Sequence, residues 1–105
     1  VYAQAFGADG REAQVPPQLL SVAAAARLGA PASLLVVGSA AEAVAAAAVA
    51  AGRPARAALP DLPPTASVLA RMAPTLAPLT EPLRPLYLRP PDAKPQTGKS
   101  IARAP

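Results

Sequence analysis

Cysteine, histidine and tryptophan are missing from this 105-residue chain, and the aromatic residues are one phenylalanine and two tyrosines. Without cysteine there is no disulfide framework and no thiolate metal site, which fits a reducing compartment, and a cytoplasmic location is the expectation. Without histidine the chain lacks the side chain that most readily moves protons near neutral pH. The carboxylates are Asp9, Glu12, Glu42, Asp61, Glu81 and Asp92, scattered through segments that read as turns, caps and linkers. No two stand at a spacing that would aim them at one substrate from one helix. No catalytic, cofactor-binding or metal-ligating residue is therefore expected, no cofactor is implied, and the chain reads as a non-enzyme. A long lipophilic run is also missing. The longest apolar stretch, Leu34 to Ala51, is mostly alanine and contains Gly38, Ser39 and Glu42, so no membrane-spanning helix is expected.

Alanine, leucine, valine and proline make up much of the chain. The hydrophobic fraction is 52% and the charged fraction 15%, beside 15 prolines. That balance argues against simple disorder, yet alanine buries little area. The length suits one domain with a modest core. That core must be built from leucine, valine and alanine, so it should be thin and marginally stable. The opening VYAQAF reads as the middle of a strand, which makes the chain an expected fragment of a longer protein.

Local signals give an α/β order. Residues 1–6 alternate, with Tyr2, Gln4 and Phe6 on one side, and Asp9-Gly10 suits a hairpin turn. A returning strand is expected over residues 11–15, ended by Pro16-Pro17, which would then open a helix carrying Leu20, Ala24 and Leu28 and stopping at Gly29. Residues 33–37, SLLVV, read as a strand buried on both faces. Ser39 and Glu42 have the spacing of a capping box. The alanine helix that follows should bury Val44 and end at Gly52. Residues 55–59 then make a further strand, parallel to the one at residues 33–37. A third helix should place Val68, Leu69, Met72 and Leu76 on one face until Pro74 bends or ends it. From residue 77 the prolines enforce an extended chain, expected to pack Leu86, Tyr87 and Leu88 onto the domain. Disorder is expected beyond about Gln96.

Two short motifs carry little chemistry. The turn at VVGS has one glycine where a phosphate-cradling loop needs several, and it reads as an ordinary strand-to-helix turn. TGKS, residues 97–100, lacks the earlier glycine and the apolar helix of a P-loop. The net charge of +4 lies entirely in the tail. Arg84, Arg89, Lys94, Lys99 and Arg103 stand there against Asp92, while the first 83 residues balance. A small basic RNA-binding module acting through this tail is thus one functional reading.

A different reading comes from LRPLYLRPPDAK at residues 83–94. It resembles the closing motif of the bacterial TsaB (YeaZ) family. VYAQAFGADGR, SLLVVGSAAEAV and ALPDLPPTASVLARMA precede it in the order and spacing of that family's second half. The resemblance implies an α/β fold that is the second lobe of an actin-like, ribonuclease-H-like body, incomplete here, with an extended proline-rich C-terminal tail. The implied divisions are a partial lobe over residues 1–82, the closing motif over 83–96 and a disordered basic tail over 97–105. It further implies a non-catalytic scaffold of the tRNA threonylcarbamoyladenosine modification complex. The implied partners are a TsaD-type catalytic subunit and an ATPase subunit, with a homodimer as a further option and with tRNA engaged only through the complex.

Overall fold

The computed structural model describes residues 1–90, 92 and 93. The expected disorder beyond Gln96 and the TGKS segment lie outside these residues. Two small two-stranded sheets form the framework. Strands β1 (Tyr2–Phe6) and β2 (Ala13–Leu19) pair antiparallel. Strands β3 (Leu34–Val37) and β4 (Ala55–Ala58) pair parallel, Leu34 opposite Ala55 through Val37 opposite Ala58. Helix α1 (Val22–Ala25) follows the hairpin, α2 (Ala41–Ala50) crosses from β3 to β4, and α3 (Ala66–Met72) runs into a 3-10 turn at Ala73–Thr75.

The hairpin departs from expectation at Pro16-Pro17. Strand β2 runs through both prolines instead of stopping there. The register explains the tolerance: from Ala3 to Ala5 on β1 the partner advances from Gln18 to Val15, so both prolines oppose Gln4 in a bulge. A proline on an edge strand, at a bulge, forfeits no ladder hydrogen bond. The helix expected to open at these prolines is reduced to the single turn of α1. Its cap is Ser21, whose Oγ accepts from the Ala24 N–H at 3.1 Å.

The turn between β1 and β2 is wider than a two-residue hairpin. It closes by the Gly7 N–H donating to Glu12 O at 2.8 Å, with Gly10 at φ 68°. Asp9 organises it, its Oδ1 accepting from the backbone N–H groups of Arg11 (2.9 Å) and Glu12 (3.2 Å). Those two bonds, Arg11 first, favour the ionised carboxylate and hold its pKa below the ordinary 3.8. A depressed folded-state pKa adds stability that is present above 3.8 and is lost as pH falls through the folded value. Acid melts of Asp9→Asn should accordingly show a weaker loss of stability below that value than the parent chain; identical acid limbs would refute the role given to the turn carboxylate.

The β3–α2–β4 unit follows the sequence in its order, but β3 is covered on one face only and not on both as expected: Leu34 and Val36 are half-buried, whereas Leu35 and Val37 are exposed, because in a two-stranded sheet only the face under α2 is packed. Alanine has the highest helix propensity, and Ala41, Val44, Ala45 and Ala48 recur at i, i+3, i+4 and i+7 as the buried stripe of α2. The capping box does not form. Gly38, at φ 101°, delays the helix by one residue, so Ala40 occupies the cap without a side-chain bond and Ser39 lies before it. Gly52 does end α2, at φ 84°. The Gly52 N–H reaches Val49 O at 2.9 Å and the Arg53 N–H reaches Ala48 O at 2.9 Å, the paired bonds of a Schellman ending. No atom would crowd a Cβ at Gly52. Gly52→Ala should therefore cost only the left-handed backbone strain, about 1 kcal/mol by chemical denaturation.

The core is as thin as the composition implies. Ala25, Ala26, Val44 and Ala48 form its centre, and Val1, Ala3, Leu34, Val36 and Ala55 pack against it from both sheets. Among the described residues no large side chain is fully buried. The packed body ends near Pro60, because every residue from 61 to 87 is exposed. Helix α3 forms where expected, but nothing covers its apolar face of Val68, Leu69 and Met72. The anticipated packing of the following segment is overturned: Leu86 and Tyr87 are 68% and 81% exposed, and Leu88 alone of the three is half-buried. With a proline every few residues, this segment loses an N–H at each one and cannot present the regular row of donors that a ladder needs. The accessible surface of 8989 Å² compares with about 5,400 Å² for a compact monomer of this mass. Likewise the radius of gyration of 18.9 Å exceeds the roughly 13 Å of a compact chain of this length.

Candidate functional site

A cleft of about 830 Å³ lies between the two sheets. All of β1 and all of β3 line it, with Ala25, Ala40, Val44 and Arg53 among its other walls. On β1, Ala3 and Ala5 turn inward while Tyr2, Gln4 and Phe6 turn outward; on β3, Leu34 and Val36 turn inward while Leu35 and Val37 turn outward. Residues of both orientations border the cleft, which happens when strands meet a cleft edge-on.

Backbone polarity agrees. Val1 and Leu20 exchange both hydrogen bonds, at 2.6 and 2.8 Å, so Val1 and Ala3 address β2, whereas Tyr2 and Gln4 direct their N–H and C=O groups away from it. The Leu34 N–H donates to Pro54 O at 2.8 Å, so Leu34 and Val36 address β4 and the main-chain groups of Leu35 and Val37 point away. Two ladder edges thus open on one cleft. Tyr2, Phe6, Leu35 and Val37 add an exposed apolar face beside it.

Arg53 fixes one wall. Its Nε donates to Ala32 O (2.8 Å), its Nη1 to Ala26 O (3.2 Å) and Leu28 O (2.7 Å), and its Nη2 to Ala30 O (2.6 Å). The loop after α1 wraps its carbonyls around one guanidinium, a use of the planar fork that lysine cannot copy. The sequence offers little warning of this role beyond an arginine directly after the helix-terminating Gly52, with no acidic neighbour to claim it.

The carboxylates are not brought together. Asp9 holds its turn, Glu42 lies in the first turn of α2, and Asp92 pairs with Arg89, whose Nη2 lies 2.9 and 3.0 Å from its two oxygens. That pair, and the Tyr2 phenol after it, raise the Arg89 pKa above its ordinary value. Among the described residues no cluster of acidic side chains stands ready for a metal. The Ser39 hydroxyl makes no cap, and the VVGS turn presents no second glycine for a phosphate. Of the basic tail residues, Arg84 is exposed and Arg89 is engaged by Asp92; Lys94, Lys99 and Arg103 lie outside the described residues. No described helix is long and apolar enough to cross a membrane.

Comparison with known proteins finds no matching family, no matching curated protein and no matching solved structure.

Proposed function

We propose that this chain is a non-catalytic partner subunit of the TsaB kind, the second lobe of an actin-like body with its proline-rich tail. In this reading it holds a TsaD-type transferase in the cytoplasmic tRNA threonylcarbamoyladenosine complex, beside the ATPase subunit, and meets tRNA only through that assembly. The observation that carries the reading is an α/β body whose large apolar side chains lie uncovered, Tyr2, Phe6, Leu35 and Val37 on the sheets and Val68, Leu69 and Met72 on α3. Apolar surface on this scale marks a surface that another protein covers, and the resemblance of LRPLYLRPPDAK to the family's closing motif supports a TsaD-type subunit as that protein.

An affinity-tagged TsaD-type subunit should retain the chain at low and at high salt, since apolar docking is little screened. Leu35→Glu, which places a charge on the exposed sheet face, should weaken retention. Absence of retention at low salt would overturn the assignment.

A further inference from the structure

We infer that Arg53 is the lock of a hinge: its guanidinium holds the connector between two separately built halves of the body, and its release lets those halves part and the cleft between β1 and β3 widen. Every contact involved lies within residues 1–60, so the lock stands apart from the tRNA-modification reading and from whatever the cleft receives.

The body divides at the connector, residues 26–33. Before it stand the β1–β2 hairpin and α1, and after it stand β3, α2 and β4. The two sheets share no strand. Main-chain bonds close within one half or the other, as the Leu20 N–H to Val1 O bond and the Leu34 N–H to Pro54 O bond, both 2.8 Å, illustrate. Among the described residues of the body, the hydrogen bonds that cross from the second half to the connector and the first half are those of the Arg53 side chain.

The acceptors are alternate carbonyls of the connector, those of Ala26, Leu28, Ala30 and Ala32, at 2.6 to 3.2 Å. They close around one planar fork. Gly29, at φ 74°, turns the connector midway, a conformation that glycine adopts without strain. The main chain of Arg53 is fixed to the second half on its own account, its N–H donating to Ala48 O at 2.9 Å at the end of α2. A group anchored on one half thus grips the covalent path to the other.

What else joins the halves is a thin apolar layer. Ala25 and Ala26 meet Val44 and Ala48 there, with Val1, Ala3, Leu34 and Val36 packed around them. Alanine side chains bury little area, so the crossing hydrogen bonds carry a large share of the closure. Hinges are short loop segments that absorb a change in backbone angles, and the connector is such a segment. Leu28, Gly29, Ala30, Ala32 and Arg53 also line the cleft, so freeing the connector moves one of its walls.

The test places spin labels on the full chain through Gln4→Cys and Leu35→Cys, exposed positions on the two sides of the cleft. No native cysteine interferes. With Arg53 in place, pulsed electron-spin distance measurements should give one narrow distribution. Arg53→Lys keeps the charge but not the fork. It should broaden the distribution and add a longer component, while circular dichroism and a cooperative melt show both halves still folded. Arg53→Ala should respond to methylguanidinium, which can refill the ring of carbonyls, by returning toward the narrow distribution. Methylammonium at the same concentration should act less, because it lacks the fork.

An Arg53→Lys distribution as narrow as the parent's would leave closure to the alanine layer and overturn the inference. Loss of the cooperative melt in Arg53→Lys would show that Arg53 supports the whole fold rather than a hinge, and would overturn it as well. So would an Arg53→Ala chain on which methylguanidinium acts no more strongly than methylammonium.

Discussion

Arg53→Ala is expected to lower the unfolding free energy by about 3 kcal/mol, the largest loss from any surface-accessible residue. Hydrogen bonds from a charged donor contribute roughly 1.5–3 kcal/mol each when they are shielded. Two of the four acceptors, Ala26 O and Leu28 O, are partly buried, while Ala30 O and Ala32 O are open to water. The exposed pair regains solvent on truncation and is discounted; the partly buried pair sets the estimate. For a domain near this size, a loss of about 3 kcal/mol lowers the melting temperature by roughly 12–24 °C. Arg53→Lys should recover less than half of the loss, because one ammonium cannot reach acceptors spread around a planar fork. Urea titrations of the three proteins measure both effects. An Arg53→Ala variant within 1 kcal/mol of its parent would show that the loop after α1 is held by other means.

The second large effect is expected at Ala48. This residue is wholly enclosed beside Val44, Ala25 and Ala26. Ala48→Asp should leave the chain unfolded at 25 °C, as judged by loss of its cooperative melt. Placing an unpaired carboxylate in such a site costs several kcal/mol, and a core of alanines around one valine holds little in reserve. Ala48→Ser is the informative companion. Its hydroxyl can donate to the carbonyl four residues earlier in α2, so it should retain a cooperative transition at reduced temperature. A folded, cooperatively melting Ala48→Asp protein would show that the stripe of α2 is not the centre of the core.

The β3–α2–β4 unit was legible because its signals are local. An apolar run, a glycine, an alanine helix with one valine at the right spacing and a second glycine state a crossover without reference to distant residues. Failures arose where tertiary context overrode a local rule. Pro16-Pro17 forbids a central strand but not a bulged edge strand, and whether a strand is an edge cannot be read from its own residues. The Ser39–Glu42 spacing was correct for a cap, but the positive φ of Gly38 shifted the helix start by one residue. Helix α3 was readable from its periodicity, whereas the lack of any cover for it was not, since periodicity states that a face is apolar and not what meets it. Arg53 was the least legible feature, because its four acceptors are backbone carbonyls that carry no side-chain signature.

The cleft belongs with these context-dependent features. Its walls were foreseen as separate strands, but its existence depends on two ladders that approach without joining. The same open edges and uncovered apolar face favour the reading of a body held against a neighbour, while Asp9, Arg53, Arg89 and Asp92 are committed to a turn, a loop and an ion pair.

Reconstituted threonylcarbamoyl transfer is the most direct test of that claim. The chain is incubated with tRNA and threonylcarbamoyl-adenylate, alone and together with the TsaD-type and ATPase subunits, and modified adenosine is measured. Alone, the chain should yield no more than a blank without protein, and its addition should raise the yield of the other two subunits. Turnover by the unaided chain, or no change in yield when it is added, would contradict the account.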